Sequence, residues 1–114
     1  MSSETSGRIR IESLDEHEPM KGCHGRFVHS ATMTHAYWRI EQGAVVPEHR
    51  HPQEQVVNVL EGELELVLDG VAHRLRPGDV LVVPADVAHS ARAIAESRVL
   101  DVFSPPRDVT GFVR

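Results

Sequence analysis

From Glu63 to Leu68 polar and apolar residues alternate at period two, and Asp69-Gly70 then supplies two residues that tolerate positive φ before the pattern returns over Val71 to Leu75. That predicts a tight β-hairpin. Other short apolar runs, Val56 to Leu60 and Val80 to Val83, are bounded by turn signals at Glu61-Gly62, Pro77-Gly78-Asp79 and Pro84-Ala85-Asp86. They recur at roughly the 8–12-residue spacing of a sandwich or barrel. No long helical period competes with them, so the fold class is all-β. Upstream, Arg8 to Ile11, Arg26 to His29 and Met33 to Ile40 are predicted strands, and Asp15 to Gly25 a predicted loop. Residues 1–7 are expected to be disordered, leaving 8–114 as one barrel domain.

A chain of 114 residues can bury one core and not two. Its formal charge is −5 and its Lys and Arg residues are scattered, so neither nucleic acid nor an anionic membrane is an expected partner. No apolar run approaches the ~20 residues a membrane span needs. The single cysteine, Cys23, cannot pair within the chain, and the first residues carry neither a basic nor an apolar leader segment. A cytoplasmic location is therefore expected, with Cys23 an incidental thiol of the N-terminal loop.

His49 and His51 stand one residue apart after Gly43, with Gln55 close behind and His89 following Pro84. Residues i and i+2 of a strand project from one face, so these two imidazoles can converge on one ion. Gln55 can reach the same space from the next strand, and His89 from a distant hairpin. Such nitrogen and oxygen donors suit Zn, Ni, Fe, Mn or Cu, and one divalent first-row ion per chain is the expected cofactor. His17 and His24 in the N-terminal loop and His73 on the hairpin are expected at the surface. His29 and His35 are not assigned. Strand parity alone does not say which face of residues 33–40 lines a pocket, and Trp38 is expected to fill core or interface.

The segment Gly43 to His51, followed by Gln55 and Gly62, is similar to the first cupin motif, in which a Gly, two His, a Glu and a second Gly recur at this spacing. Gly78 to Pro84 followed by His89 resembles the second. The resemblance implies a double-stranded β-helix, the cupin jelly-roll barrel, with a metal inside one open end. Three departures stand out: Gln55 for the usual Glu, Asp86 for the usual Gly, and Ala93 for the frequent Asn. Asp tolerates the left-handed turn conformation better than most residues, so Asp86 is compatible with the fold. Glu54 is a rival ligand beside Gln55, but counting back from Gly62 selects Gln55, and parity sends Glu54 to the opposite face. Three neutral imidazoles and an amide leave an ion's charge uncompensated, which favours anionic ligands.

Asp101, Phe103 and Arg107, together with the His, His, Gln, His set, resemble the pectin-degradation type of cupin. That resemblance implies ring opening of 4,5-unsaturated uronates to open-chain keto sugars. It also implies a metal held by His49, His51, Gln55 and His89, with Asp101, Phe103 and Arg107 lining the substrate pocket. Asp101 would then move the proton, Arg107 would pair with the substrate carboxylate, and Phe103 would shape and dry the pocket. The alternatives are a salt bridge between Asp101 and Arg107 with Phe103 in the core, a metal-dependent dioxygenase, and a non-catalytic binder of a small molecule. A small anionic substrate and a homodimer are the expected partners, the latter because a small barrel leaves sheet edges to cover.

Overall fold

The computed structural model describes residues 7–110, so the expectation of a disordered tail falls, apart from Gly7, outside the described residues. Among the described residues ten strands form: β1 (His17–Met20), β2 (Cys23–His29), β3 (Thr34–Ile40), β4 (Val45–His49), β5 (Glu54–Glu61), β6 (Leu64–Leu68), β7 (Val71–Leu75), β8 (Val80–Val83), β9 (His89–Ala93) and β10 (Ser97–Ser104). They pair into two antiparallel sheets, ordered β1-β2-β3-β10-β5-β8 and β4-β9-β6-β7. This is the jelly-roll arrangement expected. The hairpin of β6 and β7 closes at Leu68↔Val71, with Asp69 at φ 49 and Gly70 at φ 81, the two positive angles of a type I′ turn. Asp86 takes φ 62, as its turn requires.

The core lies between the sheets, and strand parity builds it. In β3, Thr34, Ala36, Trp38 and Ile40 point inward, and in β10 Ser97, Val99, Asp101 and Phe103 do. This settles the face of β3, since His35 and Tyr37 are only partly buried. Phe27 packs edge-on against Trp38 at 5.3 Å between ring centroids, and both rings pass over Gly25, where a Cβ would come within 2.7 Å of the Trp38 ring. Only glycine fits there.

Two expectations for the N-terminal region are corrected. Residues 8–10 are not a strand, because they have no pairing partner and the chain curls into a short 3₁₀ turn at Ile11–Ser13, held by Ser13 bonding back to the Arg10 carbonyl. Asp15 to Gly25 is not a loop either: β1 pairs with β2 through His17↔Gly25 and Met20↔Cys23. The turn at Lys21-Gly22 works because Gly22 accepts φ +81 and donates its N–H to the Glu18 carboxylate at 2.9 Å. His17 and His24 therefore sit on strands, and Cys23 opens β2 as a buried core residue. The segment His-Glu-Pro-Met carries no apolar alternation, so pairing with β2 rather than intrinsic pattern makes it a strand.

Candidate metal centre

β4 ends at His49, which lies opposite His89 of β9 in the register of the four-stranded sheet. Their ring centroids are 4.3 Å apart. His51 stands past the end of β4, in the connection to β5, so it reaches the same point from a turn and not from the pleat of one strand. One donor atom from each of His49, His51 and His89 lies within 4.8 Å of the other two, and such a group could hold a metal ion. Gln55, 6% exposed on β5, brings its Oε1 to 3.1 Å from His51 Nε2. Glu54 is exposed on the opposite face.

Each imidazole is oriented by a backbone carbonyl. His49 Nδ1 donates to the Pro47 carbonyl at 2.9 Å, His51 Nδ1 to Gln53 at 3.0 Å and His89 Nδ1 to Val87 at 2.9 Å. A carbonyl only accepts, so the proton sits on Nδ1 and the Nε2 lone pair is left to the site. Burial lowers the pKa of all three, the Arg107 charge lowers them further against the carbonyl bonds, and His89 falls to about 4. The rings are neutral at pH 7.

A neutral His51 has one proton for two carbonyl-type oxygens, Gln53 O and Gln55 Oε1. One of the two contacts must then set lone pair against lone pair, which is unfavourable in a buried site. Gln55 cannot relieve it by turning its amide, because its NH₂ is used by the Asp101 carboxylate. A cation between His51 Nε2 and Gln55 Oε1 removes the conflict. Their 3.1 Å separation suits adjacent ligands of an ion with ~2.1 Å bonds, which stand roughly 3.0–3.4 Å apart. The donor set fits a metal.

Asp101 is buried on β10, two residues from Phe103. Its carboxylate accepts hydrogen bonds from the Gln55 amide and the Trp38 side chain, while Oδ1 has no hydrogen-bond partner among the described residues. Burial raises its pKa from the ordinary 3.8 to about 6, against the opposing effects of those bonds and of the Arg107 charge. Phe103 is fully buried and meets His51 edge-on at 5.6 Å. The Arg107 guanidinium lies 5.4 Å over the Phe103 ring, and the Arg107 backbone N–H donates to Thr34 Oγ1 at 3.0 Å. The structure thus brings the four candidate ligands together with Asp101, Phe103 and Arg107 around one end of the barrel. Trp38, expected as filler, also donates to Asp101. The sequence signal for that role was its place on β3, the neighbour of β10 in the sheet.

The cupin domain model of the protein families matches residues 36–103, more than half of the chain. This chain is a cupin. KdgF from Halomonas sp. has a similar solved structure: TM-score 0.85 and 32% identity, covering 91% of this cupin and 97% of that chain. An RmlC-like cupin from Shewanella frigidimarina NCIMB 400 superposes at TM-score 0.86 with 26% identity, covering 93% and 96% of the two chains. Among curated proteins, an uncharacterised protein of Streptomyces coelicolor is 30% identical over 100 residues, 86% of this cupin and 95% of that relative. With these neighbours, the cupin resembles the pectin-degradation type.

Proposed function

We propose that this cupin is a metal-dependent enzyme that opens 4,5-unsaturated uronates to open-chain keto sugars. The observation that carries the reading is Asp101. It is a buried carboxyl with pKa about 6, one hydrogen bond from a candidate metal ligand, and it keeps one oxygen unpartnered among the described residues. A group poised near neutrality can both take and return a proton. The likeness to KdgF over nearly the whole chain supports the same reading.

The reaction is an isomerisation. The hydroxyl on the hemiacetal carbon loses its proton, the bond from that carbon to the ring oxygen breaks, and the enol-ether carbon remote from the carboxylate gains a proton. Asp101 is the group that would carry that proton. His49, His51, Gln55 and His89 would hold the ion, which when bound supplies positive charge against the developing oxygen anion. Arg107 would bind the substrate carboxylate, with its guanidinium steadied over Phe103, and Phe103 would exclude water from that side. The test is to incubate metal-loaded protein with unsaturated uronates and follow the enol-ether absorbance. Loss of absorbance that depends on Asp101 is expected; no loss from folded, metal-loaded protein removes the proposal.

A further inference from the structure

Below the candidate ligands the barrel holds a cavity with polar groups clustered at one end. His49, Gln55, His89 and Asp101 form that end. The remaining wall is mainly apolar, with Trp38, Ile40, Val46, Leu66, Ala91 and Val99, and it also carries Cys23 and Ser90. The uronate reading uses His49, Gln55, His89 and Asp101 at that end and gives the apolar wall no role. Its volume is about 40 Å³, counting positions open to the centre of a water molecule. One water needs roughly 10–15 Å³ by that measure. The recess therefore takes two or three carbon atoms beside an ion, and its apolar wall offers water too few partners to hold it well.

We infer that this cavity is a binding site for a short apolar group, so that the cupin takes small carboxylic acids whose anionic end meets the His and Arg107 end and whose hydrocarbon end enters the barrel. The inference is independent of the reaction proposed above. It follows from the mainly apolar lining: an apolar substituent placed there leaves water, whereas a hydroxyl would be stripped of water with few partners on those walls. In a 4,5-unsaturated uronate, only the edge that lacks hydroxyl groups would match.

The test is an NMR titration of the zinc-loaded protein with acetate, propionate, butyrate, pentanoate and hexanoate. Each methylene that enters the recess is expected to lower Kd about fourfold, from ~0.8 kcal/mol per buried CH₂. The gain should run through butyrate and stop or reverse by hexanoate, with the Ile40 and Leu66 methyl signals shifting. Ala91→Leu fills the recess and should flatten the series while leaving zinc content and acetate binding unchanged. Ile40→Val enlarges it and should move the preferred acid to a longer chain. Equal Kd from acetate to hexanoate, no saturable binding of any acid, or an unchanged series in both variants would overturn the inference.

Discussion

Replacing Asp101 by Asn separates a carboxyl kept for its proton from one kept for structure. Gln55 and Trp38 both favour the Asp101 carboxylate, and Oδ1 has no hydrogen-bond partner among the described residues. Asn has nearly the same shape and can still turn its carbonyl oxygen toward the Gln55 and Trp38 donors. What it removes is the cost of ionising a buried acid. The folded pKa of about 6 lies above the ordinary 3.8, so the sign is that of a raised pKa. Stability is unaffected below pH 3.8, where both states are protonated, and is lost as pH rises toward 6. At ~1.36 kcal/mol per pH unit the loss reaches about 3 kcal/mol and then stays constant.

Metal-stripped Asp101→Asn should therefore match the wild type near pH 4 and exceed it by up to about 3 kcal/mol at pH 7.5, a Tm about 10 °C higher for a domain of this size. The protein must be metal-free, because a nearby cation favours the carboxylate and hides the effect. Thermal unfolding at a series of pH values, with EDTA present, reads it directly. On the proposed function the same variant, reloaded with metal, should lose turnover on the order of 10²–10⁴-fold, mainly in kcat. A variant less stable than wild type at pH 7.5 would show that Asp101 is held ionised by its surroundings, and undiminished turnover would remove it from the reaction.

Further consequences follow from the same geometry. His89→Ala should strip a divalent ion from the site, and metal affinity should persist below the ordinary imidazole value of ~6.5, because burial lowers the pKa of all three imidazoles, and be lost as pH falls through about 4, where His89 takes a proton; metal analysis and competition titrations check both. In the metal-free protein the depressed His89 pKa contributes stability that is present above pH ~6.5 and lost as pH falls through about 4. Arg107→Ala should raise KM for a uronate at least tenfold with a smaller change in kcat, since a charge-assisted contact to a carboxylate exists in the ground state as well; an unchanged KM excludes Arg107 as the carboxylate partner. Gly62→Ala should cost at least ~3 kcal/mol in denaturant unfolding, because Gly62 has φ +88 and a Cβ there would collide with the Glu96 carbonyl and Ser97. A homodimer is expected, because Val80 and Val82 of the edge strand β8 are 58% and 51% exposed; light scattering at micromolar concentration would show a monomer if this is wrong.

Much of the barrel follows from local rules. Asp69-Gly70 sets the β6–β7 hairpin because few other dipeptides accept two positive φ angles, and period-two alternation assigns Gln55 inward and Glu54 outward. The same parity puts Asp101 and Phe103 on one face. The kinds of atom offered to a metal are likewise written in the residues themselves. The pairing of His17–Met20 with β2 was not legible, because those four residues become a strand through a neighbour and not through their own pattern. Nor was the route of His51, which arrives from beyond its strand. Only the tertiary structure decided that Gln55 stands between His51 and Asp101, that Trp38 gives its N–H to the same carboxylate, and that Arg107 lies over Phe103 near three imidazoles. Pleat parity is a property of neighbouring residues and can be read along a chain. The proton affinity of Asp101 and the conflict at His51 depend on burial and on groups from other strands, and those exist only once the two sheets have closed on each other.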